Sequence, residues 1–185
     1  MQFLFLVVTA LVSGRLETSI KPSVVTWLID GTNVQCCSGK GGKKEREEII
    51  QELERIASPD VSTFATDQRI ANVVLVFDGD LYETFDKVVL GPWFQIIITD
   101  GAGKRKDRAD DYIINDALPE LQNRFSFLEE KGQKHVVHLV TADKDLKRRA
   151  AKTRAMNGGS CIHPPKFWQK YLPNLKKVSS SQIRS

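Results

Sequence analysis

Short apolar, β-branched runs alternate along this chain with segments whose apolar residues recur every three to four positions. Val24–Ile29, Val73–Phe77, Phe94–Thr99 and Val136–Val140 carry few polar residues, the pattern of parallel strands buried on both faces. Glu45–Ala57 predicts an amphipathic helix with Ile49, Ile50, Leu53, Ile56 and Ala57 on one stripe, ended by Ser58-Pro59. Leu81–Leu90 predicts a short helix closed by Gly91-Pro92. Asp107–Glu130 predicts a long helix, with Ile113, Ile114, Ala117, Leu121, Phe125 and Leu128 on its apolar stripe and a kink at Pro119. A helix over Asp143–Met156 stops before Asn157-Gly158-Gly159. Cys161-Ile162 predicts a fifth strand and Pro165–Tyr171 a last helical turn, while Val61–Ala71 shows no clear period. Strands alternating with helices predict an α/β fold on a doubly wound, mostly parallel sheet. The pattern places one domain over 23–172 and a polar, disordered tail over 173–185.

Ahead of this domain, residues 1–22 read as a targeting segment or a disordered leader. Phe3–Val12 is an apolar run with the length of a signal-peptide core, but no Lys or Arg precedes it. It is too short to span a bilayer. The expectation is therefore no stable membrane insertion and delivery to an organelle, the plastid among them, with the cytoplasm as the alternative. Cys36, Cys37 and Cys161 offer neither an even disulfide set nor a C-x-x-C zinc pair. They fit a reducing compartment.

Acidic residues sit where the strand pattern ends. The runs are Trp27-Leu28-Ile29-Asp30-Gly31-Thr32-Asn33, Val76-Phe77-Asp78-Gly79-Asp80, Asp107-Arg108-Ala109-Asp110-Asp111 and Leu139-Val140-Thr141-Ala142-Asp143-Lys144-Asp145. In an open α/β sheet, ligands bind outside the carboxyl ends of the strands. Carboxylates gathered at one edge repel one another unless a cation lies between them, and Mg²⁺ or Mn²⁺ prefers such oxygen ligands. Asp30, Asp78, Asp110, Asp143 and Asp145 are accordingly the candidate metal ligands, with Asp30, Asp110 and Asp143 as the catalytic set. Asp107 and Asp111 are weaker candidates. Asp110 lies on the apolar stripe of its helix, where an unpartnered carboxylate is costly. Helix capping and Asx turns are the competing explanation for each Asp.

The net charge of +4 at pH 7 beside an acidic edge suits a polyanionic partner. Lys104, Arg105, Lys106 and Arg108 precede Asp110, Lys144 and Arg148 follow Asp143, and Lys40, Lys43 and Lys44 follow Asn33. Asn33, Lys104, Arg105, Lys106, Arg108, Lys144 and Arg148 are the candidate substrate-binding residues. The segment Gly39-Lys40-Gly41-Gly42-Lys43 is not a P-loop, because Lys44 stands where a Ser or Thr is needed.

The segments WLIDGTN, VVLVFDGD, DRADDYI and VTADKDL, in this order, resemble the NYN domain of the YacP-like group within the PIN-like nuclease superfamily. The likeness covers 24–171. It implies a three-layer α/β/α sandwich and a Mg²⁺- or Mn²⁺-dependent ribonuclease, with RNA as partner and a ribosome or ribonucleoprotein as a further one. By position, Asp30, Asn33, Asp78, Asp110 and Asp143 match the family's site, and Asp145 matches the second Asp of a Thr-x-Asp-x-Asp pattern. Thr32 stands where family members often carry Tyr. A haloacid-dehalogenase-like phosphatase would need a nucleophilic Asp at the position of Leu28. The remaining alternative is a non-catalytic RNA-binding module on the same scaffold.

Overall fold

The computed structural model describes residues 23–37, 44–57, 69–102 and 108–175. Six strands form one sheet: β1 (Ser23–Asp30), β2 (Arg69–Phe77), β3 (Asp86–Val89), β4 (Phe94–Ile98), β5 (His135–Val140) and β6 (Ser160–Ile162). Their order is β3-β4-β2-β1-β5-β6. β3 runs antiparallel to β4, and every other pairing is parallel. The chain first works outward from β1 to one edge, then crosses back to lay β5 and β6 on the other side. The topological switch therefore falls between β1 and β5.

Both faces of the sheet are buried because its strands are apolar at successive positions. Val24 and Leu28 of β1, with Val74 and Val76 of β2, pack into one core with Ile113, Leu118, Leu121 and Phe125. Val25, Trp27 and Ile29, with Val73, Leu75 and Phe77, pack into a second core with Ile49, Leu53, Phe167 and Leu172. The period-2 alternation of strand side chains sends neighbours into different cores, so helices must cover both faces, in keeping with a three-layer sandwich.

The helices are α1 (Gly31–Cys36), α2 (Arg46–Glu54), α3 (Arg108–Tyr112), α4 (Leu118–Glu130), α5 (Lys144–Ala150) and α6 (Pro164–Lys166). A π-helical turn over Ile113–Ala117 joins α3 to α4. The break expected at Pro119 takes this form: Leu118 N–H donates to Ile113 O, five residues back. Proline has no N–H and its ring crowds the preceding turn, so a widened turn just before it relieves the clash. α5 stops at Ala150, and a 3₁₀ turn at Arg154–Met156 completes the segment read as one helix. A second π turn, Phe167–Tyr171, follows α6, and helical residues run on to 175. Leu175 packs against the second core, beyond the boundary at 172 read from the sequence. Residues 1–22 and 176–185 lie outside the described residues.

One predicted element is corrected. Leu81–Leu90 holds a turn and the edge strand β3 instead of a helix. Gly91, at φ 108°, permits a reversal after which Leu90 N–H donates to Phe94 O at 2.9 Å. Few side chains other than glycine adopt that conformation. The β-branched Val88 and Val89 then fit a ladder with β4, so tertiary pairing overrides the local helical spacing.

A polar chain crosses the first core. Asn72 Nδ2 donates to Thr26 Oγ1 at 3.0 Å, and Thr26 Oγ1 lies 2.8 Å from His135 Nε2. The hydroxyl that accepts from Asn72 keeps its own proton for His135, which matches a neutral imidazole. Burial, with Arg124 nearby, pushes the His135 pKa down to about 4. A depressed histidine contributes stability above its unfolded-state value of 6.5 and loses it as pH falls through about 4. Thermal melting should therefore fall between neutral pH and pH 4 in the native chain, and His135→Gln should flatten that fall; identical slopes would refute the assignment.

Candidate functional site

Asp30 ends the central strand and is 1% exposed. It caps α1: Asn33 N–H donates to Oδ1 at 3.0 Å and Asn33 Nδ2 to Oδ2 at 2.5 Å. From across the switch point, Thr141 Oγ1 donates to the same Oδ2 at 2.7 Å. All three donors are neutral. Among the described residues no cationic side chain touches this carboxylate. Its pKa is raised, chiefly by burial, with a contribution from the like charge of Asp78. The carboxylate is thus desolvated, faced by a second acid, and held without a counter-charge from the described residues.

Gly31 follows because nothing larger fits. A Cβ there would stand 2.5 Å from the Phe77 ring and 2.9 Å from Val76 O. The Asp-Gly pair lets α1 leave β1 directly against the end of β2. That contact carries the second acid: Thr32 Oγ1 accepts from Asp78 N–H at 3.0 Å. Thr32 therefore ties the first acidic loop to the second.

Asp78 Oδ1 accepts Ala109 N–H at 2.9 Å, at the start of α3. Arg108 Nη2 donates to Gly79 O at 2.8 Å, while its Nη1 is buried with no hydrogen-bond partner among the described residues. Arg46 grips the same loop, donating to Glu83 Oε1 at 2.7 Å and to Asp78 O at 3.4 Å while lying 4.9 Å from the Phe77 ring centroid. The sequence reading missed Arg46, since a single Arg at the start of a helix carries no signal of a tertiary partner.

Asp143 caps α5, accepting Leu146 N–H at 2.7 Å, and its own N–H donates to Thr141 Oγ1 at 3.0 Å. Thr141 thereby bonds Asp30 and Asp143 at once. Asp110 and Asp111 lie half-buried in the first turn of α3. Asp111 pairs with Arg149 at 2.7 Å, and Asp110 and Asp145 add to the negative field that raises the Arg149 pKa after Asp111's own bond. Arg149 so links α5 to α3, another contact with no local signal.

The strand-end acids Asp30, Asp78 and Asp143 reach one edge, but each also serves a helix start. Among the described residues, no three His, Cys, Asp or Glu side chains converge as a metal-ligating group. Asp145 pairs within its own helix. It is exposed and bonded to Arg148, with Nε at 3.2 Å and Nη2 closer still, and this bond lowers its pKa. An (i, i+3) neighbour on one helix face meets it before the site can. Arg148 is correspondingly engaged. Arg108 is a clamp on Gly79, and Asn33 is turned onto Asp30. Lys144 is exposed at the start of α5. Lys104, Arg105, Lys106 and Asp107 lie outside the described residues, as do Lys40 and Lys43. Lys44 stands 5.1 Å from the Trp168 ring.

In kind, the donors fit a hard divalent cation: carboxylate oxygens from separate loops, the deepest of them lacking a counter-charge among the described residues. Because folding raises the Asp30 carboxyl, its contribution to stability is full below the unfolded value of 3.8 and is lost as pH rises through the folded value. Asp30→Asn should gain on the native chain in melting temperature from pH 4 to pH 8 without added metal; a constant difference would refute the raised carboxyl. Thr141→Val leaves a buried carboxylate short of a donor and should cost about 2 kcal/mol in urea unfolding, and a loss under about 0.5 kcal/mol would mean that Thr141 is a bystander. No family model, curated protein or solved structure matches this chain, so the reading of the site rests on these contacts and on the order of the acidic motifs.

Proposed function

We propose that this protein is a metal-dependent ribonuclease that hydrolyses RNA phosphodiester bonds endonucleolytically, on a PIN-like scaffold of the NYN type. The observation that carries the reading is the buried Asp30 carboxylate at the topological switch, faced by Asp78, bonded through Thr141 to the Asp143 loop, and held among the described residues by neutral donors. A catalytic edge at the switch point is where open α/β sheets bind ligands, and the four motifs resemble that family in order.

Asp30, Asp78, Asp110 and Asp143 would hold Mg²⁺ or Mn²⁺, which when bound polarises a phosphate and lowers the pKa of a coordinated water. The chain's own part is positional. Thr141 and Asn33 orient Asp30; Thr32 and Arg46 set the Asp78 loop; Arg149 spans α3 and α5 beside Asp111. Lys144, at the exposed start of α5, is placed to meet a backbone phosphate, and Lys104, Arg105 and Lys106 are proposed to do so from the segment before Arg108. Asp145 is no longer favoured as a ligand, because Arg148 holds it.

A second reading, an RNA-binding module without catalysis, has an observation in its favour. Asp30, Asp78 and Asp143 each accept a backbone N–H at a helix start, which is work enough to explain an Asp at each place.

Incubation of a labelled single-stranded RNA with the full chain separates the two. Cleavage with Mn²⁺, lost with EDTA and reduced at least about a hundredfold in Asp143→Asn and Asp110→Asn, is the expected result. RNA affinity should survive both substitutions. Metal-independent cleavage, or full turnover in both variants, would overturn the site. RNA binding with no cleavage in either metal would favour the binding module.

A further inference from the structure

The large apolar side chains exposed among the described residues are Leu81, Tyr82, Phe85, Val88, Val89, Leu90 and Phe127, and all but Phe127 fall within residues 81–90. Tyr82 is 92% exposed and Val89 56%. Together the 81–90 set exposes on the order of 700 Å². A stable interface buries about 800 Å² per partner.

The patch surrounds an open sheet edge. Among the described residues β3 is the last strand on its side, and it is exposed at every residue. Leu90 N–H donates to Phe94 O, and Val88 and Asp86 stand opposite Ile96 and Ile98 in the same phase of the ladder. Antiparallel hydrogen bonding alternates along a strand, so Lys87 and Val89 direct their N–H and C=O groups outward. Edges are commonly protected by a charge, a proline or a bulge. Here the one basic residue of the strand is drawn aside: Lys87 Nζ pairs with Glu120 at 2.8 Å.

We propose that β3 pairs antiparallel with β3 of a second copy across a twofold axis, joining two six-stranded sheets edge to edge. The outward phase limits the register. Centring on Asp86 or Lys87 sets a like charge against itself, which is destabilising. Centring on Val88 sets Val88 against its counterpart, Lys87 against Val89 and Asp86 against Leu90. Phe85 then lies opposite Gly91 of the second copy, where the space around the Cα is open. The switch-point site stays accessible in both copies, since β4 and β2 separate β3 from β1.

Sedimentation equilibrium of the full chain at micromolar concentration tests the pairing. The expected mass is twice the 20.8 kDa of one chain. Val88→Glu opposes two carboxylates at the axis and should give a folded monomer. Val89→Pro removes an outward N–H without touching the β4 ladder and should do the same. Phe127→Ser, outside the patch, should remain dimeric. A native chain that stays monomeric at hundreds of micromolar, or a dimer that persists in both folded β3 variants, overturns the proposal. A monomer whose RNA affinity falls tenfold or more in Tyr82→Ala would overturn it as well, and would assign the patch to base stacking.

Discussion

A carboxylate buried at the end of the central strand is the constraint around which this fold is organised. Asp30 is desolvated, and a buried anion is costly without hydrogen bonds. The chain meets that cost with the amide and N–H of Asn33 and the hydroxyl of Thr141. Thr141 is delivered by β5 and Asn33 by the first turn of α1, so the carboxylate is satisfied only once both sides of the topological switch are in place. Gly31 and Thr32 extend the dependence to β2, where the Phe77 ring and the Asp78 N–H meet them.

The same device recurs at the other strand ends. Asp78 and Asp143 each accept a backbone N–H from the helix that follows or packs beside them. Helix starts carry partial positive charge, which favours an acid there. Capping and cation binding are compatible, because a carboxylate has about four lone-pair positions and a cap uses one. What separates Asp30 from an ordinary cap is its burial beside a second acid, with neutral partners among the described residues. Stability and function would then pull in opposite directions at that residue, as they do where a site keeps charge that folding alone would not select.

The far edge of the sheet follows a different logic. Phe94, Ile96 and Ile97 of β4 are buried, so β4 needs cover, and the antiparallel β3 supplies it in four residues. Moving the open edge outward does not remove it. The side chains that make β3 a strand, Val88 and Val89, also leave an apolar surface there, and the one cationic side chain in it is turned toward Glu120.

Much of the framework was legible in the sequence because it rests on local periodicity. Apolar runs marked β1, β2, β4 and β5, and the stripe of Ile113 to Leu128 marked the helix that covers one core. Residue order alone also put Asp30, Asp78 and Asp143 at strand ends, since strand and acid are adjacent in the chain. The remainder depended on contacts between distant segments. β3 was misread because ten residues fit a helix as readily as a turn and a strand until β4 is there to pair with. The pairing of Asp145 with Arg148 was not legible either, because it is a matter of side-chain geometry on one helix face. Thr141 bridging two acids, Thr32 holding the Asp78 loop and Arg149 reaching Asp111 span 111, 46 and 38 positions of chain. Pattern within a window cannot register pairings at such separations; only the assembled sheet brings those groups within hydrogen-bond reach.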